Sequence, residues 1–262
     1  MLVHDVCRFL DDFAPPRLAE DWDNVGLLVG DAARSVNKIM TCLTITPDSA
    51  SEAVRERADM IVTHHPLPFR PLKRLTTESV PGRLLLQLIE ASIAIHSPHT
   101  AFDSAAAGIN QRLAEGIGLE EIRPLVPLPA DEDQLGAGRY GRLADPLPLS
   151  SIAERLRRQL TIAGLHQVGP AEQLVSKVAV ACGSAGEFLG AARQCGCSLL
   201  VTGETNFHTC LEAKATGVAL LLPGHYASER FAVEKLAEIL GEEFANLDVW
   251  ASRDEQDPLC WV

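Results

Sequence analysis

The chain has no lysine- or arginine-rich run, and its formal net charge is −12. A broad electrostatic grip on nucleic acid or an anionic membrane is therefore not expected, and any anionic ligand must be held locally. No apolar stretch approaches the length of a membrane span. The opening segment, MLVHDVCRFLDDF, interrupts its apolar residues with Asp5, Arg8, Asp11 and Asp12, a pattern of neither a signal nor a transit peptide. Paired C-x-x-C spacing is also missing. The seven cysteines (7, 42, 182, 195, 197, 210 and 260) are odd in number and scattered, which fits reduced thiols in a cytoplasmic protein. Cys195 and Cys197 flank one glycine and read as small packing residues rather than metal ligands. Nothing forms a P-loop or a guanine-reading motif.

What is present suits one large or two modest domains: 262 residues with 47% hydrophobic content. Val3, Val6, Phe9 or Leu10, and Phe13 recur at helical spacing and stop before Pro15-Pro16, so 3–13 is expected as an amphipathic helix. VGLLVG (25–30) and KIMTCLTI (38–45) read as strands, PDSASEAVRERA as a helix, and DMIVTHH as a further strand. Alternation of this kind predicts an α/β fold. The second half repeats it, since 176–204 reads strand, glycine-rich turn, helix, strand. With Lys38 set on Lys177, Thr63 falls on Thr202, and ADMIVTHH lies over CSLLVTGE. Each half then reaches a strand, a histidine and an acid four residues later, in AIHSPHTAFD and LLLPGHYASE. Such self-similarity predicts two pseudo-repeated α/β lobes.

Between them, 123–150 carries five prolines and three glycines and is the expected boundary, dividing the chain into 1–125 and 126–262. LSSIAERLRRQL is expected to follow as a helix capped by Ser150 or Ser151. A last helix is expected near 228–241.

Strands of an α/β sheet deliver ligands at their carboxyl ends. Four such ends are polar: His64-His65, the segment His99–Asp103, Glu204 with His208, and the segment His225–Glu229. An isolated His-His pair also fits a surface or capping role. Pro66 favours an open strand end, where rings pointing to opposite faces would suit two ions. Glu229 alone could complement a helix dipole, and Asp103 could be a plain N-cap. Taken together, imidazole and carboxylate are the ligand mix of Zn, Fe, Mn, Co or Ni. His64, His65, Asp103, His225 and Glu229 would bring only two negative charges to two divalent ions, leaving positive charge for a bridging hydroxide and an anionic or carbonyl-bearing substrate.

EDWDNVGLLVG, VTHHPLPF, HTAFD, GAGRYGRL, LLVTGE and GHYASE, in this order, resemble the Nif-three-like family, whose bacterial members are often labelled GTP cyclohydrolase 1 type 2 homologues. The resemblance spans about residues 20 to 230 and implies a two-lobed α/β protein with a dinuclear divalent-metal site in the cleft. Its ligands here would be His64, His65, Asp103, His225 and Glu229. His99 is implied as a neighbour or proton donor, and Glu204 and His208 as solvent or substrate contacts, so that His99 or Glu204 would shuttle the proton. The cyclohydrolase label implies opening of the GTP imidazole ring, and hence a small anionic substrate such as a nucleotide. Bacterial members imply a toroidal homohexamer. Metal-dependent phosphoester hydrolysis, or a non-catalytic metal-binding chaperone or regulatory scaffold, are the alternative readings. Arg70–Arg74, RPLKR, either contacts phosphate or is a solvated basic loop. Trp22, Asp23 and Asn24 either line the cleft or form a locally bonded turn.

Overall fold

The computed structural model describes residues 1–129 and 135–260. The chain forms two compact units: residues 1–102 with 232–256, and residues 103–231 with the chain from 257 onward.

In the first unit, Val3–Phe13 is a helix that buries Val3, Val6, Cys7 and Leu10, the face set by the apolar spacing. Strands β1 (Gly26–Val29), β2 (Lys38–Cys42), β3 (Met60–Thr63) and β4 (Ala94–Ser97) join the strand Asp248–Ala251 in the order β1-β4-β3-β2-(248–251). Only β1 runs antiparallel to its neighbour. The helix Pro47–Glu56 starts at Thr46, whose hydroxyl accepts from Ser49 N at 3.2 Å, and ends at Arg57 in a left-handed conformation. Met40, Ile61 and Ile95 from the strands pack with Leu84, Leu85 and Leu88 from the helix Val80–Glu90. Burial of side chains this size contributes about 2 kcal/mol each and pins the register.

In the second unit, β5 (Leu119–Arg123), β8 (Arg139–Pro148), β9 (His166–Val168), β10 (Leu174–Ser184), β11 (Leu199–Glu204) and β12 (Ala219–Leu222) lie in the order β5-β8-β10-β11-β12-β9. The short strands β6 (Val126–Pro127) and β7 (Gly136–Ala137) pair separately. The β10-β11-β12-β9 part copies β2-β3-β4-β1 in order and direction. With Lys38 placed on Lys177 the registers coincide. Ile39 pairs with Met60 and Cys42 with Thr63, while Val178 pairs with Leu199 and Ala181 with Thr202. Both lysines donate Nζ to the last turn of the following helix, at Glu56 O and Cys195 O. Arg57 and Gly196, which coincide, both take positive φ. The predicted pseudo-repeat is thus a repeat of backbone pairing.

Two local expectations need revision. Ser150 and Ser151 do not cap the helix Leu149–Leu160, because Pro148 precedes its first turn and both serines lie inside it. The proline- and glycine-rich stretch does not separate the two units. Apart from residues 130–134, which fall outside the described residues, it builds β6, β7 and all of β8, within the second unit. At Gly141 the reason is close strand approach, since a Cβ there would lie 2.7 Å from Glu120 O. Among the described residues no helix is long and apolar enough to cross a membrane.

Glu52, wholly buried, holds the C-terminal return of the first unit. It accepts from Trp250 Nε1 at 3.1 Å, Ser252 Oγ at 2.6 Å and the backbone N–H groups of Arg253 and Asp254. Burial raises its pKa, but the bonds from Ser252 and the backbone outweigh burial and lower it. A depressed carboxylate contributes stability that is present above its unfolded pKa and is lost as pH falls through its folded one. Glu52→Gln, which points an amide donor at donors, is expected to cost about 3 kcal/mol and to flatten the acid limb of the stability curve, measured by urea unfolding between pH 7 and pH 3. Wild-type stability in that variant would contradict the role.

Candidate functional site

In the first unit β3 stops at Thr63, whose hydroxyl donates to His65 O and Leu43 O. The chain bends there, so His64 and His65 are no longer strand residues and the alternation rule does not govern them. Their rings do not diverge to opposite faces as expected. They lie 5.0 Å apart between centroids, and a ligand-capable nitrogen from each of His64, His65 and His99 falls within a 4.8 Å cluster. Ser97 Oγ donates to His64 O at 2.6 Å, and Thr44 Oγ1 lies 2.6 Å from His65 Nδ1.

His99 opens the helix His99–Ser104 with a positive φ of 24° and is 8% exposed. Its Nδ1 donates to Asp23 Oδ1 at 2.7 Å. Burial would raise the Asp23 pKa, but hydrogen bonds from His99 and Thr100 bring it down to about 2. An ionised carboxylate on Nδ1 fixes the tautomer and turns Nε2 into the acceptor or ligand atom. Asp23 therefore does more than close a local turn, although it also accepts from Asn24 N.

In the second unit, His225 begins the helix His225–Glu243. It donates Nδ1 to Glu204 Oε1 at 2.9 Å, and its Nε2 is ion-paired with Glu229 Oε2 at 3.1 Å. The bond to the buried Glu229 is the main reason its pKa rises to about 9, against the lowering effect of burial. Asp103 accepts from Cys182 Sγ at 3.0 Å. Burial, with the charges of Asp103 and Glu229, holds that thiol protonated. Asp103 lies inside the helix His99–Ser104 and is not its N-cap. Arg139, 2% exposed, donates to Ser104 O and Ala105 O at the end of that helix. Burial lowers its pKa to about 10, and it still serves as a cationic C-cap.

Two glycines make the approach possible. A Cβ on Gly183, at φ +65°, would sit 2.4 Å from Glu229 Oε1. On Gly203 it would sit 2.5 Å from Ser228 Oγ and 2.7 Å from Gly183 O. Ser228 Oγ in turn accepts from Gly183 N and donates to His225 O. Under the repeat alignment His64-His65 coincides with Gly203-Glu204, so a strand end that carries rings in one unit carries a gap and a carboxylate in the other.

The sequence-predicted residues thus fall into His64, His65 and His99 in the first unit, and Asp103, Glu204, His225 and Glu229 in the second. His208, in the first turn of the helix Phe207–Thr216, is exposed and meets the ring of Phe207, and it joins neither group. Sequence reasoning missed Cys182, Gly183, Ser228 and Arg139. CGSAG was visible only as a glycine-rich turn. The donor set fits a divalent cation: imidazole nitrogens cluster in one unit, and carboxylates surround a proton-holding imidazole in the other, where an ion could replace the proton.

The fold and these donors define a two-unit α/β protein with candidate metal-binding side chains. The chain belongs to the Duf34/NIF3 family (NGG1p interacting factor 3), whose model matches residues 1–258. It is 32% identical over 263 residues to a GTP cyclohydrolase 1 type 2 homolog of Clostridium perfringens, covering 100% of both chains. It is 34% identical to the protein of the same name in Streptomyces coelicolor, covering 98% of this chain and 93% of that one. A hypothetical protein of Staphylococcus aureus has a crystal structure matching at a TM-score of 0.90 and 27% identity, over 100% of this chain and 99% of that one.

Gly183→Ala is expected to push the Glu229 carboxylate away from His225 and lower the His225 pKa from about 9 toward its ordinary value in metal-free protein. NMR titration of the imidazole measures this. An unchanged midpoint would contradict the assigned contact.

Proposed function

We propose that His64, His65, Asp103, His225 and Glu229 hold two divalent ions, drawn from Zn, Fe, Mn, Co or Ni, and that the protein is a metal-dependent hydrolase. The observation that supports this most is the repeated placement of imidazole and carboxylate at equivalent strand ends and helix starts of the two units. The names of the relatives point to a nucleotide substrate, and we infer a reaction resembling hydrolytic opening of the GTP imidazole ring. Bound divalent ions would supply Lewis acidity toward water and toward the charge that develops on the substrate. By family resemblance we also propose a cytoplasmic, toroidal homohexamer.

The chain's own residues account for the remaining steps. His99, oriented by Asp23, carries a proton at Nε2 to or from the reacting group. Glu204 holds His225 through Nδ1, which presents Nε2 on the side of Glu229. Glu204 also stands half exposed, where it can take up a proton from solvent. The buried Cys182 thiol orients Asp103 by donating to one of its oxygens.

Incubating Mn-, Zn- and Fe-loaded protein with a panel of nucleotides and phosphoesters tests the reading. Asp103→Ala and Glu229→Gln are expected to lose metal and turnover together, and Glu204→Gln to weaken metal affinity about 10- to 100-fold. Full turnover by metal-free variants would refute the hydrolase. Tight metal retention with no turnover on any substrate would favour the scaffold.

A further inference from the structure

Trp22 and Phe69 are large aromatic residues that stay exposed, at 63% and 49%, outside the buried apolar clusters of the chain. Their ring centroids are 6.0 Å apart, with planes inclined at 54°. Each ring also meets the edge or face of His99, at 6.0 Å for Trp22 and 5.9 Å for Phe69. Two open aromatic surfaces therefore stand beside a histidine of the three-imidazole cluster. They belong to the same unit as that cluster.

The two loops that carry them are anchored. Asn24 Nδ2 donates to Pro68 O at 3.0 Å, which ties the Trp22 loop to the Phe69 loop. Asp23 is held by His99 and by both the backbone N–H and the hydroxyl of Thr100. The rings are thus displayed on fixed backbone, so little ordering entropy is lost when a ligand meets them. Immediately after Phe69 the chain presents Arg70, Lys73 and Arg74, all exposed, in a protein with a net charge of −12. A planar group needs aromatic faces to stack on, and an anionic tail needs local cations. A sugar phosphate or simple phosphoester would use only the second feature.

We propose that Trp22 and Phe69 form a stacking clamp for a planar heteroaromatic ring beside His99, with Arg70, Lys73 and Arg74 receiving its anionic tail. The ligand class is then a nucleotide recognised through its base as well as its phosphates. This inference rests on the proposed function in taking the histidine cluster as the place where substrate binds. Stacking is tolerant of base identity, because every base offers a π-face, so the clamp supplies affinity and position rather than a reading of guanine over adenine.

The test titrates guanosine, GTP and inorganic triphosphate into the full-length metal-loaded protein by calorimetry, with metal content measured on each sample. Guanosine and GTP are expected to bind, and Trp22→Ala and Phe69→Ala each to weaken both about tenfold. Trp22→Phe should recover most of the loss, and inorganic triphosphate should bind all the variants alike. Circular dichroism checks the fold, and with two separate alanine variants the test does not depend on either one alone. Failure of wild-type protein to bind guanosine, or wild-type affinity for guanosine and GTP in both alanine variants, would overturn the clamp. A metal-loaded, active protein indifferent to both substitutions refutes the clamp alone. Wild-type protein that retains no metal after loading and turns over none of the panel, yet binds guanosine through Trp22, refutes the hydrolase reading and leaves the clamp standing.

Discussion

Parallel strands buried on both faces tolerate chemistry only where they stop, because a polar side chain within them would be stripped of water without a partner. In both units β2, β3, β10 and β11 are closed to solvent along most of their length; Lys38 and Lys177 stand toward the entering ends of β2 and β10, and the candidate donors stand at or just past the carboxyl ends. His64 and His65 follow β3. Glu204 ends β11, and Cys182 and Gly183 lie at the end of β10. The helices that start at His99 and His225 follow β4 and β12 and add the remaining donors. The whole candidate site depends on this one constraint, and the rest of each unit keeps the strand ends in register.

The second unit shows how a repeated scaffold is specialised. Where the first unit places two imidazoles after its strand, the second places Gly203 and Glu204. The missing side chain at Gly203 admits Ser228 and His225, and Glu204 then reaches His225 Nδ1. A carboxylate on each imidazole nitrogen stabilises the charged ring, which is why His225 holds its proton so strongly in the absence of a competing cation. In the first unit the carboxylate of Asp23 engages His99 at Nδ1. The same backbone thus supports a nitrogen-rich donor group once and a carboxylate-rich one once.

Much of this was legible in the sequence. The apolar spacing of Val3, Val6 and Leu10 located a helix, and the equal interval from Lys38 to Thr63 and from Lys177 to Thr202 anticipated a repeat that proves to be one of strand register. The histidines and acids of the site were visible because they stand directly after apolar runs. Other features were hidden for physical reasons. The convergence of His64 and His65 depends on a bend after Thr63, which a period-two pattern does not encode. The proline- and glycine-rich stretch looks like a linker, yet its glycines serve close strand contact inside one unit. Arg139 stands inside GAGRYGRL with no role legible for it there, and the fold shows it buried among backbone carbonyls at the end of the Asp103 helix. Gly183 and Ser228 carry no chemical signature of their own, since their role is to leave space and to fill it.

The most direct test of the central claim is anomalous diffraction from a crystal of the metal-loaded protein, collected above and below the absorption edge of the added metal. The account predicts two anomalous peaks per chain, in contact with His64, His65, Asp103, His225 and Glu229. Peaks elsewhere, or none at these side chains in protein shown to contain metal, would contradict it.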